Sequence, residues 1–245
     1  MVVASITAGA CGGSSPKPHA KPTTVLVSAA SSLREAFSEL ESTFELEHDR
    51  VDVVATFGAS SALATQLAQG APADVFVSAD DVTMQKVRDA GRVAGTTTVI
   101  ARNRIAMVVE RDNPKGVASL QDLRRSDLVV VLCAAPVPCG RLAAAALRRA
   151  GVDVIAASYE ENVKGVLSKV TLGEADVGVV YESDVRAAGD DVGSVAIDIA
   201  AEPEFQAVYP AAVLEGAPQP ARAWLAFLRS RDAQAVLAKH GFLSP

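Results

Sequence analysis

The segment TTVLVSAASSLREAFSELESTFELE, residues 23–47, decides the fold class of this chain. Its first six residues, Thr23–Ser28, are rich in β-branched side chains, which is typical of a buried strand. From Ser32 to Glu47 apolar residues recur at intervals of three and four, which predicts an amphipathic helix. A buried strand that runs directly into a helix is the repeating unit of α/β proteins with mainly parallel sheets.

The same alternation continues to the end of the chain. Further strands are predicted at Val51–Phe57, Asp74–Ser78, Ile105–Glu110, Leu128–Cys133, Val152–Ala157, Val177–Tyr181, Val195–Ile199 and Gln206–Val213. Further helices are predicted at Ser61–Gln69, Val82–Ala90, Gly140–Ala150, Glu161–Leu172, Ala221–Arg229 and Asp232–His240. The sequence therefore predicts an α/β fold over most of its length.

Composition limits the classes of partner. The 245 residues are 49% hydrophobic and 21% charged, which is ordinary for a globular core in one or two domains. The formal net charge is −6, and no block of consecutive basic residues is present, so nucleic acid and anionic membrane surfaces are not expected partners. An anion bound by this chain must be held by local groups.

Residues 1–20 are interpreted as a leader and tether outside the fold. Ala8-Gly9-Ala10-Cys11 resembles the lipobox of a bacterial lipoprotein signal, and a segment rich in Gly, Ser and Pro follows it. The resemblance implies lipidation of Cys11. No later stretch approaches the roughly 18 apolar residues that a membrane-spanning helix needs.

Small and hydroxyl-bearing residues stand where predicted strands meet helices. These junctions are Val27–Leu33, Phe57–Leu63 and Pro136–Arg141. Ligands of parallel sheets bind beyond the carboxyl ends of the strands, where free amides at helix N-termini form anion sites without Lys or Arg. Ser32 with Glu35 also fits a capping box, the purely structural interpretation of that serine.

A site made only of donors suits a compact anion that carries no proton. Molybdate, tungstate and sulfate meet this condition at neutral pH, whereas hydrogen phosphate needs an acceptor for its proton. Molybdate, tungstate and sulfate must be distinguished by their size, and the sequence alone does not give the size of a cavity.

Seven segments, in order along the chain, resemble the molybdate-binding proteins of ABC importers. They are Ala29–Leu33, Phe57–Ser61, Gly70–Asp80, Val137–Gly140, Glu161–Val163, Gly178–Asp184 and Lys239–Phe242. The resemblance implies a type II periplasmic-binding fold, in which two α/β lobes joined by two crossing strands close on the ligand. Residues 21–100 and 204–245 would form lobe I, and residues 101–203 would form lobe II.

The same resemblance implies the ligands of the anion. Ser32, Ser60 and Tyr181 would donate through hydroxyls, and Ser60, Cys139 and Val163 through backbone amides. Ser31 beside Ser32, and Ser61 beside Ser60, leave a one-residue ambiguity at each serine pair.

The function implied is capture of molybdate or tungstate outside the cytoplasm and delivery to the membrane permease of an ABC importer. A monomer held to the membrane by its lipid alone is expected, with no cofactor and no metal other than that of the ligand. A carrier of sulfate, thiosulfate or another oxyanion is the alternative. The ligand-sensing domain of a regulator is another, but no helix-turn-helix segment precedes the first strand.

Cys133 and Cys139 stand six residues apart, and Cys139 occupies a position where the family usually has Ala. With Cys11 lipidated they would be the one possible disulfide pair of an exported chain, the alternative being two unpaired buried thiols.

An enzyme is not expected. A hydrolase needs a base beside its serine, yet His19, His48 and His240 all lie away from strand ends, and the cysteines and histidines show no zinc spacing. Asp74, Asp80 and Asp184 are the carboxylates that could supply an acid–base pair. They are expected instead to cap helices or order loops.

Overall fold

A computed structural model describes residues 21–245. The strands are β1 Thr23–Ala30, β2 Val51–Gly58, β3 Val75–Val77, β4 Thr98–Glu110, β5 Val130–Cys133, β6 Ser158–Glu160, β7 Val177–Tyr181, β8 Val192–Ala196 and β9 Gln206–Val213. The α-helices are α1 Arg34–Glu47, α2 Ser60–Ala68, α3 Asp81–Asp89, α4 Pro138–Ala150, α5 Val163–Thr171, α6 Glu182–Ala188, α7 Gln219–Phe227 and α8 Arg231–Lys239. Within these residues no helix is both long enough and apolar enough to cross a membrane.

The strands form one curled sheet in the order β2-β1-β3-β9-β4-β7-β5-β6, with β8 also paired to β4. At one end β1 lies between β2 and β3 in parallel register, and at the other β5 lies parallel to both β6 and β7. The pairs that involve β4 or β9 are antiparallel. The α/β fold predicted from the sequence is confirmed.

Two strands cross between the halves of the sheet. β4 pairs with β9 from Thr98 to Arg104 and with β7 from Ile105 to Val109. We call β1–β3 and β9, with α1–α3, α7 and α8, the first lobe, and β5–β8 with α4–α6 the second lobe. The boundaries predicted after residues 100 and 203 stay a prediction, and they fall within β4 and just before β9.

Four elements differ from the sequence prediction. β8 runs from Val192 to Ala196 instead of the predicted Val195–Ile199, because Asp198 and Ile199 belong to a 3-10 helix. Val152–Ala157 is not a strand: the segment is a loop in which Ile155 is 98% exposed, and the edge strand follows it as β6. β4 begins seven residues before the predicted Ile105. Its first half pairs with β9, although the charged and polar run Arg102–Arg104 interrupts the apolar pattern there. α6 was not predicted, because its seven residues are too short to show a helical period.

The first lobe packs its helices around an aromatic cluster. The fully buried Trp224 of α7 meets Phe37 and Phe44 of α1 edge to face, at centroid distances of 5.8 and 5.2 Å. Such pairs contribute about 0.5–1.5 kcal/mol beyond the area they bury. This packing fixes α1, and therefore the turn that precedes it, against the sheet.

Glu41 on α1 makes stability depend on pH. One of its carboxylate oxygens is buried without a partner among the described residues, and burial together with Glu45 raises the pKa of Glu41 from 4.5 to about 7. The folded protein therefore binds the proton of the Glu41 carboxyl more tightly than the unfolded chain does. The stability that comes from this protonation is complete below pH 4.5 and is lost as the pH rises through 7.

We expect Glu41→Gln to raise the free energy of unfolding by about 1 kcal/mol at pH 8, after allowance for the partial exposure of the group, and to change it little at pH 4.5. Urea unfolding at the two pH values measures this difference. Glu47→Gln, at the exposed end of the same helix, is the control and should show no such difference. Equal effects of Glu41→Gln at both pH values would contradict the assignment.

Candidate oxyanion-binding site

A small cavity lies between the two lobes at the carboxyl ends of β1, β2 and β7. Its volume is about 20 Å³. That is more than the roughly 10–15 Å³ needed by one water molecule. The residues that line it are Ala30, Ser31, Ser32, Gly58, Ala59, Ser60, Ala79, Val137, Pro138, Cys139, Asn162, Val163 and Tyr181.

All five residues predicted to bind the anion line this one cavity: Ser32, Ser60, Cys139, Val163 and Tyr181. The structure brings them together from both lobes, although up to 149 residues separate them along the chain. Ser31 also lines the cavity, whereas Ser61 does not. Their role as ligands stays a prediction, and the geometry below shows what they offer.

Three helices begin at the cavity. Ser60 is the first residue of α2, Cys139 the second residue of α4 after Pro138, and Val163 the first residue of α5. Amides in the first turn of a helix have no carbonyl one turn earlier to accept their hydrogen bonds, and the helix dipole adds positive potential. Three sets of free donors therefore point toward the same small volume.

Two hydroxyl groups have protons available for a ligand. Ser60 Oγ accepts the Ala79 amide at 3.1 Å, which leaves its own proton free. Tyr181 Oη is buried and has no partner among the described residues. Burial raises the pKa of Tyr181 well above its ordinary value, so the phenol stays protonated and acts as a donor. A buried donor without a partner is costly, and an anion in the cavity would satisfy it.

Ser32 does not form the predicted capping box with Glu35. Its hydroxyl lies 2.9 Å from Tyr209 Oη on β9, and no side chain caps the start of α1. Glu35 instead pairs with Lys164 Nζ of the second lobe at 2.8 Å. The capping motif fails here because long-range partners are available to both side chains. Tyr209 was not found from the sequence, since nothing local to it signals a partner 177 residues away.

Among residues 21–245 no charged side chain lines the cavity, but ion pairs lie on both sides of it. Arg141 of α4 donates to Asp80 at the start of α3 at 2.8 Å, and Lys164 of α5 joins Glu35 and the buried Asp184. Burial raises the pKa of Asp184 to about 6, although the Lys164 ammonium opposes the shift. Each cation is thus matched by a carboxylate and bridges the lobes, so the cavity itself offers uncharged donors.

A disulfide joins Cys133, the last residue of β5, to Cys139 of α4, with the Cα atoms 5.8 Å apart. Of the two alternatives that the sequence left open, the structure has the bridge. It closes a short ring around the loop that carries the Cys139 amide. The bridge therefore ties one of the donors to the buried strand β5 of the second lobe.

The residues weighed for catalysis have structural partners elsewhere. His48 stacks on Phe44 with a centroid distance of 3.9 Å, and His240 contacts Glu39 at 2.9 Å. Asp74 accepts the Leu26 amide, Asp80 caps α3 and Asp184 accepts the Tyr181 amide. No histidine lines the cavity, and within residues 21–245 no cluster of three or more His, Cys, Asp or Glu could hold a metal ion. His19 and Cys11 lie outside the described residues.

These features define the ligand chemically. The cavity offers amide and hydroxyl donors, is small, and lacks a carboxylate that could accept a proton from the ligand. A compact, fully ionised anion satisfies all of these groups at once.

The bacterial extracellular solute-binding protein family model matches residues 25–243. The chain belongs to this family of solute-binding proteins. Among its relatives is the molybdate-binding protein ModA of Mycobacterium tuberculosis, 39% identical over 254 aligned residues that cover 100% of this chain and 97% of that protein. The chain is therefore of the ModA type.

Two solved structures show how far the fold is shared. The substrate-binding domain of a putative molybdenum ABC transporter from Clostridium difficile superposes with a TM-score of 0.67 at 25% identity, covering 91% of this chain and 99% of that one. The sulfate-binding protein SubI of Mycobacterium tuberculosis superposes with a TM-score of 0.80 at 19% identity, covering 90% and 86%. The likeness to SubI shows the fold alone. Because the two structures share this fold, the fold does not decide between a molybdenum oxyanion and sulfate.

Proposed function

We propose that this protein captures molybdate, and tungstate equally, outside the cytoplasm and delivers it to the permease of an ABC importer. The observation that carries the proposal is the cavity lined by donors from both lobes, in which the Tyr181 hydroxyl is buried without a partner. The 39% identity to a full-length ModA supports molybdate over other oxyanions.

Selection among anions follows from protonation and size. Hydrogen phosphate would turn its proton toward a group that is itself a donor, which costs about 1–3 kcal/mol for an unsatisfied buried pair. Sulfate carries no proton, but it is smaller and cannot reach the donors of both lobes at once. Molybdate and tungstate have nearly the same size and charge, so the site should not separate them strongly.

Attachment to the membrane is part of the same proposal. Cys11, in the lipobox-like sequence outside the described residues, would carry the lipid, and the polar residues after it would act as a tether. A monomer tethered in this way stays close to the permease.

Calorimetric titration of the purified protein with molybdate, tungstate, sulfate and phosphate tests the function. We expect tight binding of molybdate and tungstate with affinities within about tenfold of each other, and little displacement of molybdate by equal concentrations of sulfate or phosphate. Displacement by equimolar sulfate would favour the sulfate-carrier alternative. Displacement by phosphate would mean that an acceptor lines the site.

A further inference from the structure

A buried chain of polar groups connects Ser32 to the strands that cross between the lobes. Ser32 Oγ lies 2.9 Å from Oη of Tyr209, which is fully buried on β9. Asn103, fully buried on β4, donates from Nδ2 to Ser183 Oγ at 2.8 Å and makes a longer contact of 3.5 Å with Tyr209 Oη. None of these groups except Ser32 lines the cavity.

The chain of hydrogen bonds has a direction. Across the 2.9 Å contact either Ser32 Oγ or Tyr209 Oη can donate. The Asn103 amide contacts Tyr209 Oη as a donor at 3.5 Å, which favours donation of the phenolic proton to Ser32 Oγ, its near acceptor. Ser32 cannot then donate to Tyr209 without leaving the phenolic proton unsatisfied in a buried place, which is costly. The proton of Ser32 is thus left to point into the cavity.

The location of the chain also matters. Ser32 belongs to the first lobe and Ser183 to the second, while Asn103 and Tyr209 lie on the two crossing strands. The Ser32 hydroxyl is therefore linked, through Tyr209 and Asn103, to a residue of the second lobe.

We propose that Tyr209, held by Asn103, is a positioning residue that fixes the Ser32 hydroxyl as a donor to the bound oxyanion. This inference rests on the proposed function, since it assigns a role to a group outside the oxyanion site. Tyr209 acts through Ser32 and does not touch the anion.

A double-mutant cycle on molybdate affinity tests the inference, because a residue that acts only through Ser32 has no effect once Ser32 is removed. We expect Tyr209→Phe to weaken molybdate binding about five- to tenfold in the otherwise native protein, the scale of one oriented hydrogen bond. In the Ser32→Ala background the same change should alter affinity by less than about twofold. Tyr159→Phe, on the exposed edge strand β6, is the matched control and should have no effect in either background.

Asn103→Leu provides a second route that leaves both Ser32 and Tyr209 in place. It should weaken binding about two- to threefold with Ser32 present and have no effect with Ser32→Ala. Equal losses in the two backgrounds, or no loss from Tyr209→Phe with Ser32 present, would overturn the inference. Absence of molybdate binding by the native protein would instead overturn the proposed function, so the two failures are distinct.

Discussion

Tyr181→Phe is expected to weaken molybdate binding about 10- to 100-fold and to leave the ligand-free protein at least as stable as before. The hydroxyl is buried without a partner among the described residues, so its removal costs the free protein nothing and relieves an unsatisfied group. In the complex the variant loses a hydrogen bond to a charged ligand, worth about 1.5–3 kcal/mol. Opposite signs for affinity and stability are the signature of a ligand donor.

Calorimetry with molybdate and thermal unfolding without ligand measure the two effects on Tyr181→Phe. Tyr159→Phe serves as the control, since Tyr159 is 59% exposed and does not line the cavity. Unchanged affinity in Tyr181→Phe would remove this residue from the binding site. A large loss of ligand-free stability would show that its hydroxyl has a structural role.

Gly140→Ala is expected to lower the free energy of unfolding by about 3 kcal/mol and to abolish tight oxyanion binding. An added Cβ would overlap the carbonyl oxygen of Ala134 and would lie only 2.6 Å from its carbonyl carbon and 2.8 Å from the Cys133 oxygen. These are backbone atoms of the loop that precedes α4 and cannot rotate away. The start of α4 would have to shift, and the Cys139 amide would shift with it.

Gly58→Ala is the matched control for this variant. Gly58 also lines the cavity, but a Cβ there would meet only the Leu63 side chain at 3.5 Å, an ordinary contact. We expect its unfolding free energy to stay within about 1 kcal/mol of the native value. Denaturant unfolding and molybdate titration of both variants test the contrast. A Gly140→Ala protein as stable as Gly58→Ala would show that the loop before α4 is free to move.

The parts of the site that could be predicted from sequence are those with a local signal. Ser60 and Cys139 lie at strand-to-helix junctions, where neighbouring residues alone indicate a helix N-terminus with free amides. The role of Val163 came from the family resemblance. Tyr181 is the last residue of the buried strand β7, and its role also came from the family resemblance. The junction signals at Ser60 and Cys139 each span fewer than ten residues, whereas the resemblance rests on seven segments spread along the chain.

The features that escaped prediction depend on distant partners. Tyr209 looks like any core residue of a strand until the fold places it beside Ser32. The first half of β4 was missed because the polar run Arg102–Arg104 interrupts its apolar pattern, and its pairing with β9 is not visible in the local sequence. Conversely, the apolar residues of Val152–Ala157 resemble a strand but do not form one, and only Val152 among the strongly apolar ones is buried.

Because of the Cys133–Cys139 bridge, the affinity of the proposed site should depend on the redox conditions of the compartment that contains the protein. Thiols stay reduced in the cytoplasm and disulfides persist after export. The loop that carries the Cys139 amide is therefore closed covalently only outside the cell interior, and a newly made chain should hold its ligand less tightly than the exported one. Affinities measured before and after reduction of the bridge would show this difference, and equal values would mean that noncovalent contacts alone order the loop. If reduction lowers the affinity, oxyanion binding would become tight only after export, in the compartment where the ligand is collected.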